Sequence, residues 1–355
     1  MSFPGPVDRR HFLSGGAGVF LCTIAGKRIS GDGPEPDWQQ LASQLSDPPK
    51  VRAAELRQLP GLPTTTPGAG GPSSGGVKRE YWITAETVRW NIVPTKRDEM
   101  MDRAVKDKAK FTAWCYRQYT PNFAAPMGPA MMPGPTLEAE TGDTIVVNFK
   151  NTLSVPVTMH PHGVLYSPQM DGAYKGRYTD PGGFVKPGKT FQYSWDCRAG
   201  TEGVWPYHDH GPMDPAPLYK GLFGAINIRK KGAARPDVDH YIFFHSLIPG
   251  ATNLAKPFMC INGRSYAGNT PTLTAKVGQK VAQHVIGMSN DFHTYHLHGH
   301  RWTGPDGRVV DNVTVGPADS YSLTFTEDNP GRWFYHCHVF SHLHEGMNGF
   351  YVVDP

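Results

Sequence analysis

The sequence predicts an all-β protein built from two Greek-key β-sandwiches. Three observations carry that expectation. The 355 residues include 40 Gly and 33 Pro, a balance that favours many short strands joined by turns. β-Branched and aromatic runs alternate with turn residues. The chain also repeats itself.

The repeat sets the organisation. Residues 135–163 (PTLEAETGDTIVVNFKNTLSVPVTMHPHG) align without a gap on residues 271–299 (PTLTAKVGQKVAQHVIGMSNDFHTYHLHG). A second echo pairs Val204-Trp-Pro-Tyr-His-Asp-His210 with Arg332-Trp-Phe-Tyr-His-Cys-His338, and a third pairs Gly221-Leu-Phe-Gly224 with Gly346-Met-Asn-Gly349. Three echoes in one order imply two copies of one unit, residues 80–232 and 237–355, joined near Pro236. Within them Thr144–Phe149, Thr190–Trp195 and Ser320–Phe325 show the period of two of half-buried strands. Turns such as Lys186-Pro-Gly188 separate such runs, as a small sandwich requires.

Ahead of the units, residues 1–26 read as an export signal. Arg9-Arg10 is followed by Phe12-Leu13 and a weakly apolar stretch from Gly15 to Gly26, which resembles a twin-arginine signal. The protein is therefore expected to be exported, periplasmic or extracellular. Residues 27–79 are rich in Pro, Gly and Ser and are expected to form a flexible leader, with a short helix near Trp38 to Leu45. The formal charge is only +4 and is not gathered into a stripe, so nothing favours a nucleic-acid partner. No apolar run is long enough for a membrane span. Of five cysteines, Cys22 lies in the signal. If Cys337 binds metal, then Cys115, Cys197 and Cys260 allow at most one disulfide.

The chemistry lies in the histidines. Most of the 16 fall into four clusters: His160-x-His162, His208-x-His210, His293-x-x-His296-x-His298 and His336-Cys-His338-x-x-x-His342. In a strand, residues i and i+2 share a face and i+1 takes the other. Four His-x-His pairs thus supply eight side-by-side imidazoles, enough for about three metal ions. Structural zinc needs only four ligands. Between His336 and His338 the thiolate of Cys337 must face away from that cluster and serve a separate metal. His293 is an odd number of residues from His296 and His298, so it points towards the side of Cys337. His342 and Met347 lie beyond the strand on a loop that can return. Cys, two His and a weak thioether are the ligand set of a blue-copper electron-transfer site.

These segments, HxHG, HxH, HxxHxH and HCHxxxHxxxxM, resemble the four copper-binding segments of the multicopper oxidases. With HTYHLHGHRW, VVDNVTVGPADSY and RWFYHCHVFSH, residues 80–355 are most similar to the two-domain bacterial (small) laccases. The resemblance implies two cupredoxin-like domains and four coppers per chain. It assigns a type 1 copper to His293, Cys337, His342 and axial Met347, and a type 2 copper to His160 and His296. It assigns the type 3 pair to His162, His208, His210, His298, His336 and His338. The first unit lacks a type 1 site: Asp209 stands where Cys337 stands, Val157 where His293 stands, and Leu222 where Met347 stands. Copper nitrite reductases lack the full set of eight cluster histidines and are disfavoured.

The resemblance further implies a homotrimer, with the cluster formed between neighbouring chains. It implies reduction of dioxygen to water at the expense of a phenol, an aromatic amine or a metal ion such as Cu(I), Fe(II) or Mn(II). Asp171, Asp311 and Tyr166 match family positions beside the cluster and are the candidate catalytic residues, against ordinary turn, loop and packing roles. A copper carrier or pure electron-transfer protein is the reading from another class, and it does not require eight cluster histidines. His240, His245, His284, His300 and His344 are expected to be surface or core groups, with His300 and His344 flanking a substrate edge. Met127, Met131 and Met132 invite a Cu(I) reading, against ordinary hydrophobic packing of the loop.

Overall fold

The structure, a computed structural model, describes residues 22–24, 27–29, 37–45, 47, 76–304 and 306–355. The first sandwich is made of β1 (Lys78–Asn91), β2 (Lys110–Tyr119), β3 (Leu137–Glu140), β4 (Thr144–Asn151), β5 (His160–Pro161), β6 (Thr190–Asp196), β7 (Gly203–His208) and β8 (Phe223–Arg229). The second is made of β9 (Val238–Leu247), β10 (Phe258–Ile261), β11 (Leu273–Lys276), β12 (Lys280–Gly287), β13 (His293–Leu297), β14 (Asn312–Val315), β15 (Ser320–Thr326), β16 (Gly331–Cys337) and β17 (Asn348–Asp354).

The sequence repeat is a topological repeat. One sheet of the first sandwich runs β6-β4-β1-β2 and the other β3-β8-β7-β5. The second sandwich repeats both orders, β15-β12-β9-β10 and β11-β17-β16-β13, and adds β14 at the edge. Parallel pairs fall at matching places, β1 with β4 and β9 with β12. Both units are therefore Greek-key cupredoxin-type sandwiches.

The alternation of side chains builds the cores. Along β6 only Tyr193 and Trp195 are fully buried, and they join Ile145, Val147 and Phe149 of β4 inside the first sandwich. The strand β12 departs from alternation, with every residue after Lys280 buried. Its second face meets a further apolar cluster lying between the sandwiches, which includes Trp90, Phe111, Phe223, Phe243, Phe258 and Ile286. A strand covered on both sides loses its polar face.

The echoes mark close contacts. Gly163 and Gly299 take left-handed φ of 72° and 71°, where a side chain is strained. A Cβ there would lie 2.2 Å from Trp205 and 2.6 Å from Trp333 respectively. Gly224 and Gly349 lie against Tyr207 and Tyr335, whose hydroxyls donate to the carbonyls of Pro135 and Pro271 at 2.7 Å in both units.

The leader is not free of the fold throughout. The helix α1 (Trp38–Ser43) is capped by Asp37, whose carboxylate accepts from the amides of Gln39 and Gln40. Trp38 and Leu41 are buried in the first core, with the Trp38 ring edge-on to Trp114 at 5.5 Å. Burying one such side chain contributes about 2–3 kcal/mol, which offsets the ordering of a short helix. Lys220, at the end of α2 (Ala216–Lys220), is fully buried between the two indoles, 5.4 and 4.9 Å from their centres. The last residues of the expected leader also join the fold, since the Val77 amide and Arg79 guanidinium both reach Asp143. The twin-arginine stretch lies outside the described residues. Among the described residues no helix is long and apolar enough to cross a membrane. Cys115, Cys197, Cys260 and Cys337 are all unbonded and buried.

If the repeated tyrosine contact holds each sandwich, Tyr335→Phe should lower stability by about 1 kcal/mol. Gly349→Ala should lower it by about 1–3 kcal/mol, because its Cβ must displace the ring. Urea denaturation of both variants checks this, and unchanged midpoints would contradict it.

Candidate metal centres

The register between β13 and β16 sorts the side chains. Tyr295 faces Cys337, His296 faces His336 and Leu297 faces Tyr335. Directly opposed residues share a face, so His293, Tyr295 and Cys337 look into the core while His296 and His336 look out of it. The helix α3 (Phe340–His344) then carries His342 back over Cys337, and the amide of Met347 donates to the carbonyl of His342. The amide of Cys337 in turn donates to the Met347 carbonyl at 3.0 Å.

His293, Cys337 and His342 are all buried, and their ligand atoms converge. The two Nδ1 atoms are 3.2 Å apart, and the Sγ lies 3.9 Å from that of His293 and 3.6 Å from that of His342. A point equidistant from the three lies about 2.1 Å from each, close to metal–imidazole and metal–thiolate bond lengths. Burial pushes His293 down to about 3, with His342 adding to the effect, so its ring is neutral. Burial also raises the Cys337 thiol against a hydrogen bond from the Thr294 amide. A cation is what would let that thiol ionise in the core. Ser289 Oγ, 2.8 Å from His293 Nε2, leaves Nδ1 turned to the triad. The donor set thus fits a thiolate-binding copper ion, with Met347 buried alongside in the same core.

The other eight imidazoles form two matching quartets. In the first sandwich, ring centres of His160 lie 5.1, 5.5 and 5.2 Å from those of His162, His208 and His210. In the second, those of His296 lie 4.9, 5.5 and 5.6 Å from His298, His336 and His338. The bonds that orient them also match. His160 and His296 use Nδ1 on the backbone carbonyls of Asp171 and Asp311, at 2.7 and 2.8 Å. His208 and His336 use Nδ1 on the carbonyls of Asp209 and Cys337, at 2.7 and 2.9 Å. A second-sphere acceptor at Nδ1 leaves the Nε2 lone pair for a metal. The Nε2 atoms of His162 and His208 are 3.1 Å apart, as are those of His298 and His336.

Burial lowers His208 to about 3, and His162 and His336 to about 4. These rings are therefore neutral, as ligands must be. His210 and His338 touch their quartets but stand outside the tightest triples. Among the described residues no ring contact joins one quartet to the other. His298 and His338 are exposed.

The three candidate catalytic residues differ in placement. Asp171 Oδ1 lies 3.2 Å from His160 Nδ1, and Oδ2 lies 2.9 Å from Lys175 Nζ. Burial works against its ionisation, yet hydrogen bonding from Lys175 holds the carboxyl below its usual range. Lys175 has no motif to announce it and escaped the sequence reading. Tyr166 stands 6.3 Å from the His160 ring, and burial beside Asp171 pushes its hydroxyl up to about 12. Asp311 holds His296 through its backbone, while its 57%-exposed carboxylate is 3.8 Å away. Asp209 is buried on the opposite face, accepting from the amides of Thr158 and Gly211, and burial pushes it up to about 8.

Two further expectations are corrected. His300 does not flank a substrate edge, because it is buried against Glu327 at 2.9 Å. His344 is exposed, as expected of an edge residue. The methionine loop is not simply packed. Met132 is buried, but Met127 and Met131 are exposed, and all three line a cavity of about 530 Å³ with Arg117 and Arg264.

Residues 126–233 and 245–355 each match a family model described as "Multicopper oxidase". The chain is 32% identical over 239 residues to a "Probable nitrite reductase-hydroxylamine oxidoreductase fusion protein" of Kuenenia stuttgartiensis, a match covering 63% of this chain and 28% of that protein. It is 28% identical over 346 residues to "Ferroxidase HEPHL1" of Homo sapiens, covering 79% and 30%. It therefore spans about 30% of the length of these curated relatives. In fold it is similar to the blue copper oxidase from Nitrosomonas europaea, with a TM-score of 0.61, 22% identity, and coverage of 78% of this chain and 86% of that one. The two matches account for most of both sandwiches, and the second holds a buried His–Cys–His triad beside an imidazole quartet, so the chain belongs to the multicopper oxidase family of copper-dependent oxidoreductases.

Proposed function

We propose that the chain is a laccase-type oxidase that couples one-electron oxidation of phenols or aromatic amines to the reduction of dioxygen. The observation that carries this reading is one buried His–Cys–His triad set back to back with an imidazole quartet, while a second quartet stands alone in the first sandwich. In this reading residues 80–232 and 237–355 are two domains of an exported protein. His293, Cys337, His342 and Met347 hold a type 1 copper. His160 and His296 hold the type 2 copper, and His162, His208, His210, His298, His336 and His338 the type 3 pair. Bound copper supplies the one-electron chemistry that carries four electrons from reductant to dioxygen, giving water.

The chain's own part is to separate and connect these centres. Cys337 is one peptide from His336 and one from His338, so the triad is covalently joined to the quartet behind it. Asp171, an ionised carboxylate beside Lys175, can accept a proton next to His160, and the carboxylate of Asp311 lies 3.8 Å from His296. Tyr166 hydrogen-bonds Asp171 and stands beside the His160 ring. Because the two quartets do not meet within one chain, a homotrimer would bring the first-domain quartet of one copy to the second-domain quartet of its neighbour. A metal-ion reductant is the second reading. It is favoured by the acidic Asp291, whose backbone amide donates to the Ser289 hydroxyl that meets His293 Nε2, and by the similarity to a protein named as a ferroxidase.

Copper-loaded protein should consume dioxygen with phenols. Cys337→Ser should abolish this uptake, together with the visible thiolate-to-copper absorption. Negligible phenol turnover beside fast Fe(II) or Cu(I) turnover would move the assignment to a metal-ion oxidase. Asp311→Ala, with copper content intact, should slow dioxygen reduction more than type 1 reduction in stopped-flow traces, and equal rates would remove its carboxylate from the mechanism. In sedimentation, activity should follow a trimer. An active copper-loaded monomer would exclude the shared cluster.

A further inference from the structure

The two quartets share their main orienting bonds and differ at two places. In the first, His210 Nδ1 lies 3.4 Å from Asp214 Oδ2. The other difference lies at His298. Behind His298 the second sandwich buries a polar network. His300 Nδ1 is 2.8 Å from the carbonyl of His298, and its Nε2 is 2.9 Å from Glu327 Oε1. Tyr351 donates its hydroxyl to the other oxygen of Glu327, and the Asn329 amide donates to Oε1 at 3.0 Å. The Asn329 side chain takes the next carbonyl, that of Gly299, at 3.0 Å. The side chains of His300 and Glu327 are 3% and 0% exposed.

The repeat shows what stands at the same places in the first sandwich. Register and shared bonds fix the correspondence. His162 and His298 both donate their amides to strand carbonyls two residues before His208 and His336, those of Pro206 and Phe334. Trp205 and Trp333 both donate to a carbonyl four residues earlier, of Thr201 and Asn329. Ile226 opposes Trp205 as Tyr351 opposes Trp333. The amides of Cys197 and Glu327 donate to the carbonyls of Asp143 and Gln279, and their own carbonyls accept from Gly142 and Gly278. Thus His300, Glu327 and Tyr351 correspond to Val164, Cys197 and Ile226. All three members of the polar set are replaced together by buried uncharged residues, Val164 and Ile226 being apolar and Cys197 a free thiol that packs as a small hydrophobe, so the fold itself does not need them. A buried ionisable pair commonly adds little stability over apolar residues of similar size.

The need differs between the two quartets. In the first, the segment after the His-x-His-Gly turn is pinned to β6, with Leu165 and Asp196 exchanging backbone bonds, and His162 is half-buried. In the second, His298 and Gly299 are exposed, and the segment after the turn pairs with Val309–Val310 in a two-stranded ribbon, not with β15.

We infer that His300, Glu327 and Tyr351 form an internal buckle that pre-positions the exposed His298 imidazole for metal binding before a neighbouring surface covers it. They are positioning residues. Glu327 holds His300, and His300 holds the peptide that aims His298. This rests on the reading of His298 as a copper ligand.

The test uses full-length copper-loaded protein. Copper retained against a chelator, the electron paramagnetic signal of the bound copper, and KM for dioxygen are compared for Glu327→Ala and Glu327→Gln. The visible band of the His293–Cys337–His342 site reports that the second sandwich is folded. Glu327→Ala should keep that band, lose cluster copper roughly 10–100-fold more readily, and raise KM for dioxygen while KM for the reductant stays put. Glu327→Gln, which keeps an acceptor oxygen for His300 and turns its amide N–H to the Tyr351 hydroxyl, should restore most of the loss. If Glu327→Ala also loses the visible band, Tyr351→Phe, which deletes a single oxygen, is measured in its place and should show the same split more weakly. A banded Glu327→Ala, or failing that Tyr351→Phe, with wild-type copper retention and wild-type KM for dioxygen overturns the buckle. Wild-type protein that binds no copper at the quartets overturns the ligand reading instead.

Discussion

Everything chemical in this molecule depends on the two-residue period of a strand. At β16 three consecutive residues, His336, Cys337 and His338, are divided between two environments by the pleat alone. The register with β13 sends His293 with the thiol and His296 with the imidazoles. A slip of one residue would exchange the two sets and put a cysteine among histidines and a histidine in the core. That register is held from both sides. Tyr335 and Tyr295 are fully buried neighbours in the core, and Gly349 lets β17 close on Tyr335.

The two sandwiches show how one scaffold diverges. The outward quartets keep backbone carbonyls at Nδ1 of His160 and His296 and of His208 and His336, and the same Nε2 spacing. The inward positions differ: Asp209 takes the place of Cys337 and is satisfied by the amides of Thr158 and Gly211. A buried carboxyl with two backbone donors closes the first sandwich as a structural plug. The face that carries the quartet and the face that meets the core therefore change independently, because the pleat decouples them.

Much of this was legible in the sequence, for a physical reason. A gap-free repeat reports topology directly, and strand parity needs only residue spacing. The grouping of His293 with Cys337 follows from an odd offset. The return of His342 through a short helix could only be anticipated as a loop. What was hidden depends on contacts without local pattern. Lys175 reaches Asp171 through a turn, and no motif marks it. The buried partner of His300 is Glu327, a residue remote in sequence and indistinguishable there from a surface carboxylate. The leader composition signals disorder, yet one tryptophan within it finds a ready-made site. Composition averages over a segment, whereas docking is decided by a single side chain.

That tryptophan alters where the folded unit ends. Strand topology starts at Lys78 and would suggest cutting the chain there. Burial places the boundary some forty residues earlier, because Trp38 closes one side of an aromatic box whose other wall is Trp114 and whose occupant is Lys220. A protein trimmed to its first strand would bare the Trp38 side of that box. It would leave an ammonium group beside an unroofed indole, a surface prone to unintended adhesion. The unit to express or transplant is defined by its aromatic lid rather than by its first strand.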